Sequence, residues 1–94
     1  MAVKIFIKRK ITESHVLELT TLLKKLRALT LDQPGYISGE TLQRVDKPGE
    51  AMVISTWHSV DEWNAWVNNQ KRAEIQSKID QLLGEETEYA IYSS

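Results

Sequence analysis

Val53-Ile-Ser-Thr-Trp57-His58-Ser59-Val-Asp-Glu62-Trp63-Asn-Ala-Trp66 holds all three tryptophans of a 94-residue chain. Its first part is rich in β-branched residues and reads as a strand closed by an aromatic side chain. Ser59 followed by Glu62 is a capping box, the sequence signature of a helix start. The helix it opens, to about Asn68, places Trp63, Trp66 and Val67 on one face. A strand-to-helix corner with this much aromatic area must be covered, by the protein's own core or by a bound ligand.

Working outward, Ala51–Trp57 is the third of four expected strands. It is preceded by the turn Asp46-Lys-Pro-Gly-Glu50 and by a second strand from Tyr36 to Val45, so the two form an antiparallel hairpin. Gln33-Pro34-Gly35 ends a long amphipathic helix, about residues 14–30, with Val16, Leu19, Leu22, Leu23 and Leu26 at helical spacing. Thr12-Glu-Ser14 is its expected start. Val3, Ile5, Ile7 and Ile11 alternate with Lys4, Lys8 and Lys10 in a first strand. Phe6 departs from that pattern on the cationic face and Arg9 on the apolar one. After Trp66, Asn68-Asn69 bends or interrupts the helix, and a further helical stretch spans about residues 70–83 with Gly84 as its C-terminal cap. Glu88–Tyr92 alternates as a final strand. The order βαββαβ predicts a ferredoxin-like α+β domain, an antiparallel sheet with its helices on one face, over residues 1–94 as a single domain. Phe6 then lies on the uncovered face, whose natural partner is the sheet of a second copy.

The composition is that of a soluble globular chain: 41% hydrophobic, 27% charged, net charge −1. So small a domain buries roughly 60–65% of its unfolded surface, and association would cover more. The near-zero charge gives no general pull toward nucleic acid or anionic membrane. With no cysteine, disulfides, thiol catalysis and thiolate metal sites are excluded. Charges inside the apolar stretch of the amino terminus argue against a signal peptide or a membrane span. A cytoplasmic protein is the expectation.

With the elements in place, the sequence resembles the antibiotic biosynthesis monooxygenase (ABM) domain family, part of the dimeric α/β barrel superfamily, which also includes heme-degrading monooxygenases. The residues that carry the likeness are Pro34-Gly35-Tyr36 leading into Ile-Ser-Gly-Glu-Thr-Leu-Gln-Arg44, then Val53–Trp57, Ser59-Val-Asp-Glu-Trp63 and Trp66. The resemblance implies a homodimer whose two sheets form a barrel, with a pocket between sheet and helices in each subunit. For the oxygenating members it implies chemistry without cofactor, metal or flavin: a quinol-like aromatic is deprotonated and its anion reacts directly with dioxygen. Such a pocket needs a base, hydrogen-bond donors for the developing oxyanion, and dry walls.

Against that expectation the individual residues are weighed as follows. Trp66 matches the tryptophan that heme-degrading relatives set against the porphyrin, and it also suits core packing; as a pocket wall it does both. The ligand histidine of those relatives falls at Gln76 or a neighbour, and their first-strand asparagine near Ile7 or Lys8; neither residue type occurs there, and glutamine is a poor iron ligand. Heme binding or degradation is therefore disfavoured. Arg9, on the helix-facing side, either orients a phenolate or carboxylate or reaches out to water. His58, with an ordinary pKa of about 6.5, is a weak candidate base, better read as a solvated loop residue, and His15 as a surface residue. No metal-ligand spacing is present. Tyr36, Tyr89 and Tyr92 are either pocket hydroxyls or half-buried packing residues. Lys4, Lys8, Lys10 and Phe6 raise an RNA-recognition motif, but Ala51–Thr56 lacks the aromatics of its stacking platform.

The sequence thus predicts a small-molecule pocket lined by Trp66, Trp63, Ile7 and Arg9 in a homodimer, with no nucleic-acid or membrane partner. The function expected is a cofactor-independent monooxygenase or a related isomerase-like enzyme. The alternative is a non-catalytic dimer that binds an apolar ligand or serves in stress or regulation.

Overall fold

The computed structural model describes residues 2–11 and 16–93. Its elements run β1 (Val3–Lys10), α1 (Val16–Leu31), β2 (Tyr36–Gln43), β3 (Glu50–Trp57), α2 (Val60–Val67), α3 (Gln70–Leu83) and β4 (Glu88–Ser93). The four strands form one antiparallel sheet in the order β2-β3-β1-β4, with the helices on one face, the ferredoxin-like arrangement. The short axis of the molecule is 18 Å, the thickness of one sheet and one helix layer.

Most expected boundaries hold within two residues. The Asn68-Asn69 interruption is a full break. Asn69 caps α3 by accepting the Arg72 N–H at 3.1 Å, so the aromatic helix and its successor are separate elements. At the start of α2, Ser59 Oγ accepts the Glu62 N–H at 3.2 Å, as the capping box requires. Gly84 is left-handed at φ 69°, and its N–H donates to the Asp80 carbonyl at 2.9 Å. The β2–β3 hairpin closes by the Arg44 N–H donating to the Glu50 carbonyl, 3.0 Å, so β2 ends at Gln43 rather than Val45. The expected start of α1 at Thr12–Ser14, and His15, lie outside the described residues.

The register assigns every strand side chain to a face. Val3, Ile5, Ile7 and Arg9 share the helix-facing side with Trp57, Ser55, Val53 and Ala51 opposite them on β3. Trp57 is fully buried there, Nε1 donating to Ser55 Oγ at 2.7 Å, so it belongs to the core under the helices and not to the outer face. A chain of edge-on contacts, Tyr36–Trp57–Trp63, continues into a tilted Trp63–Tyr89 pair, with centroids 5.4–5.8 Å apart. On the opposite face Phe6 packs edge-on to Tyr92 at 5.0 Å, next to Ile54 and Ala90.

Candidate functional site

A cavity of about 730 Å³ opens between α1 and the β2–β3 half of the sheet. It exists because α1 packs mainly along α3 while small residues on β2 and β3, Gly39, Ala51 and Ser55, leave the sheet surface low beneath it. Leu19, Leu23 and Leu26 of α1 form the roof, and Ile7 and Val53 the floor. Trp63, Trp66 and Arg72 stand at one end, and Arg44, Pro48, Gly49 and Glu50 of the hairpin at the other. Such a volume with mostly apolar walls and a few polar groups is that of a small-molecule site.

Trp63, Trp66, Ile7 and Arg9, from four separate stretches of sequence, line this one cavity. The two tryptophans are nearly inaccessible to water, so they serve as core and as wall together. Tyr36 also lines it, and Gly39 makes that possible: a Cβ on Gly39 would lie 2.6 Å from the Tyr36 hydroxyl. Tyr89 is turned toward α3, and Tyr92 lies on the outer face against Phe6. His58 is exposed at the end of β3 and does not line the cavity; its N–H is engaged with the Gly35 carbonyl at 2.8 Å.

Arg9 does not reach out to water. It is 6% exposed, donates from Nη2 to Gln76 Oε1 at 3.3 Å, and its buried Nε has no hydrogen-bond partner. Burial, reinforced by nearby Arg72, draws its pKa below the ordinary arginine value. Gln76, at or next to which the resemblance would put a heme-ligand histidine, is committed elsewhere: its Nε2 donates to Asp80 Oδ1 and to Thr87 Oγ1, both at 2.8 Å. The Thr87 hydroxyl in turn donates to Asp80 Oδ1 at 2.9 Å.

Arg72 is a site residue that reading the sequence missed. Its guanidinium is 6% exposed, lies 5.4–6.0 Å from the ring centroids of Trp63, Trp66 and Tyr89, and donates to the Tyr89 hydroxyl at 2.6 Å. Burial pushes the Tyr89 phenol up, with Arg72 and Arg9 opposing. The signal was available: Arg72, Gln76, Ile79 and Leu83 recur at helical spacing on the face of α3 that Ile79 buries. Counting only apolar residues along that face passes over its two polar members. Among the described residues neither Arg9 nor Arg72 forms an ion pair, and no group of three or more histidine or carboxylate side chains is disposed to hold a metal ion. Among the described residues no helix is long and apolar enough to cross a membrane.

At the hairpin end, Arg44 donates to Asp46 at 2.8 Å and 3.2 Å and to Glu50 at 2.9 Å. These bonds hold both carboxyl groups below their ordinary pKa. Glu50 is the sole carboxylate among the lining residues, and so engaged it is a weak proton acceptor.

The fold is shared with solved structures over more than nine-tenths of their length. A conserved protein from Methanosarcina mazei Go1 superposes with a TM-score of 0.90 at 23% identity, covering 100% of this chain and 93% of that one. Rv0793 from Mycobacterium tuberculosis gives 0.86 at 14%, covering 100% and 95%. SnoaB, a cofactor-independent oxygenase from Streptomyces nogalater, gives 0.84 at 15%, covering 99% and 92%. A comparison with curated proteins finds no match. The family model described as Antibiotic biosynthesis monooxygenase matches residues 2–78, which take in every strand but the last and all four predicted pocket residues. The chain belongs to the antibiotic biosynthesis monooxygenase family.

Proposed function

We propose that the protein is a cofactor-independent monooxygenase for an electron-rich, quinol-like aromatic molecule bound in the cavity under α1. The observation that carries this reading is an apolar cavity with aromatic walls at Trp63 and Trp66 and two buried guanidinium groups, Arg9 and Arg72, among its lining. The ring of the substrate lies against the tryptophans and Ile7. Positive charge beside it lowers the substrate's pKa and stabilises the anion, most strongly where water is excluded. An electron pair of that anion forms a C–O bond to dioxygen. The resulting peroxide anion takes up a proton, and the hydroperoxide then loses water made of its outer OH and the hydrogen on the same carbon, leaving one oxygen atom as a carbonyl in the product. With His58 outside the cavity and Glu50 tied to Arg44, the substrate proton passes to water at the open end.

The lack of a free base among the described lining residues favours a second reading, a non-catalytic site for an apolar ligand. Oxygen uptake with a panel of quinols separates the two. The monooxygenase reading requires uptake by the wild-type protein above that of a Trp66→Ala/Arg9→Ala double variant. Heme binding is opposed by the commitment of Gln76 to Asp80 and Thr87, and the expected result on adding heme is no shift of its Soret band.

The working form is a homodimer through the outer sheet faces. Phe6, Leu42, Met52, Ile54 and Tyr92 supply apolar area there, Tyr92 being 59% exposed and Leu42 44% exposed. Pairing two such sheets buries this strip in the manner of a sandwich.

A further inference from the structure

We propose that the ligand of this cavity carries one carboxylate, received by Arg9 and Arg72, in addition to the aromatic or apolar body that the walls accept. The proposal rests on the cavity being the ligand site and narrows the class of molecule that fills it.

Two guanidinium groups, each 6% exposed, line the cavity; Arg9 bonds Gln76, and Arg72 lies one turn before Gln76 on α3. The nearby carboxylate of Asp80 already accepts from Gln76 and from the Thr87 hydroxyl and main-chain N–H, and among the described residues it forms no ion pair with either arginine. Two buried positive charges therefore stand in one cavity wall without an ion-pair partner among the described residues. Charges are seldom buried unpaired, because desolvation costs more than a neutral hydrogen bond returns.

The two arginines differ in how far they are satisfied. Arg72 is enclosed by Trp63, Trp66 and Tyr89 and donates to the Tyr89 hydroxyl and the Val67 carbonyl. Among the described residues Arg9 has only the 3.3 Å bond to the Gln76 amide, and its Nε has no partner. A planar two-oxygen anion matches guanidinium geometry and supplies the charged partner that Arg9 lacks. A carboxylate also arrives ionised at neutral pH, whereas a phenol, with an ordinary pKa of about 10, arrives with its proton. Ala51, opposite Arg9 on β3, leaves space above the strand at this point.

Binding of three probes of one shape tests this: 2-naphthoate, 2-naphthol and 2-(aminomethyl)naphthalene, at pH 7 with the intact protein, followed by quenching of tryptophan fluorescence and by calorimetry. The expected result is naphthoate binding at least about tenfold more tightly than naphthol, as a charge-assisted pair implies, and the ammonium probe weakest. Arg9→Met is expected to abolish the preference for naphthoate over naphthol. Arg72→Gln is expected to reduce the same preference and serves if the Arg9 variant does not fold. Equal affinity for naphthoate and naphthol in the wild-type protein overturns the carboxylate assignment and leaves the pocket reading standing. Failure of all three probes to bind overturns both. The comparison needs no turnover, so it is independent of the oxygen-uptake test.

Discussion

Replacing Arg9 by methionine is expected to leave stability within about 3 kcal/mol of wild type, although Arg9 is among its most buried residues. The reasoning starts from the guanidinium, which keeps an unpartnered Nε and one long bond to a neutral amide. Exchanging a buried charge for an apolar side chain of similar volume is neutral or gains about 1–4 kcal/mol. The exchange strands Gln76 Oε1, at a cost of about 1–3 kcal/mol. The net runs from a loss of about 3 kcal/mol to a gain of about 3 kcal/mol, centred near zero. The other end of the same bond offers no such offset. Gln76→Leu leaves the Arg9 charge with no hydrogen-bonded acceptor among the described residues and removes one of Asp80's donors, a loss of about 1–3 kcal/mol. Urea unfolding followed by tryptophan fluorescence measures both, at one fixed protein concentration because the proposed dimerisation would contribute to apparent stability. An Arg9→Met variant less stable than wild type by more than about 3 kcal/mol, with an unchanged m value, would refute the claim that this arginine is unsatisfied.

Three further outcomes are expected. Gly35→Ala destabilises by about 1–3 kcal/mol in urea, because Gly35 holds φ 86° and a Cβ would run into the Glu62 side chain of the capping box. Asp46 and Glu50 have folded-state pKa values below their unfolded ones, so their contribution to stability is complete above about pH 5 and lost as pH falls through the folded values. Arg44→Met is expected to flatten that acid limb in thermal melts taken across the pH range, and an unchanged limb would show that the cluster makes no contribution. Tyr92→Glu, on the outer face beside Phe6, is expected to convert the dimer to monomer in sedimentation at micromolar concentration; a wild-type protein already monomeric there would remove the dimer from the account.

The fold was legible because each element carries its own signal. Alternation along β1, leucine spacing along α1 and the Ser59–Glu62 box depend on neighbours within one or two turns of chain. The Asn69 cap was visible only as a doubt about continuity, since a helix that bends and a helix that restarts look alike until the Arg72 N–H is seen to bond its side chain. In the site, the apolar members were readable because burial follows periodicity. Arg9 stood out by breaking its strand's pattern, and two fates were open to it. Distance from water chose between them: α3 lies over the end of β1, so the side chain meets Gln76 rather than solvent.

The sequence alone determined the elements, the face each side chain takes on its own strand or helix, and the tryptophan corner that joins β3 to α2. Those are local properties, set by the two periods of polypeptide geometry and by capping chemistry. Only the tertiary structure decided that Trp57 belongs to the covered face, that Arg72 joins Arg9, and that His58 lies outside the cavity. It also decided that Gln76 holds Arg9 across 67 positions of sequence. Which charges meet depends on strand register and on where a helix lands. Periodicity fixes the direction in which a side chain points and is silent about what stands opposite.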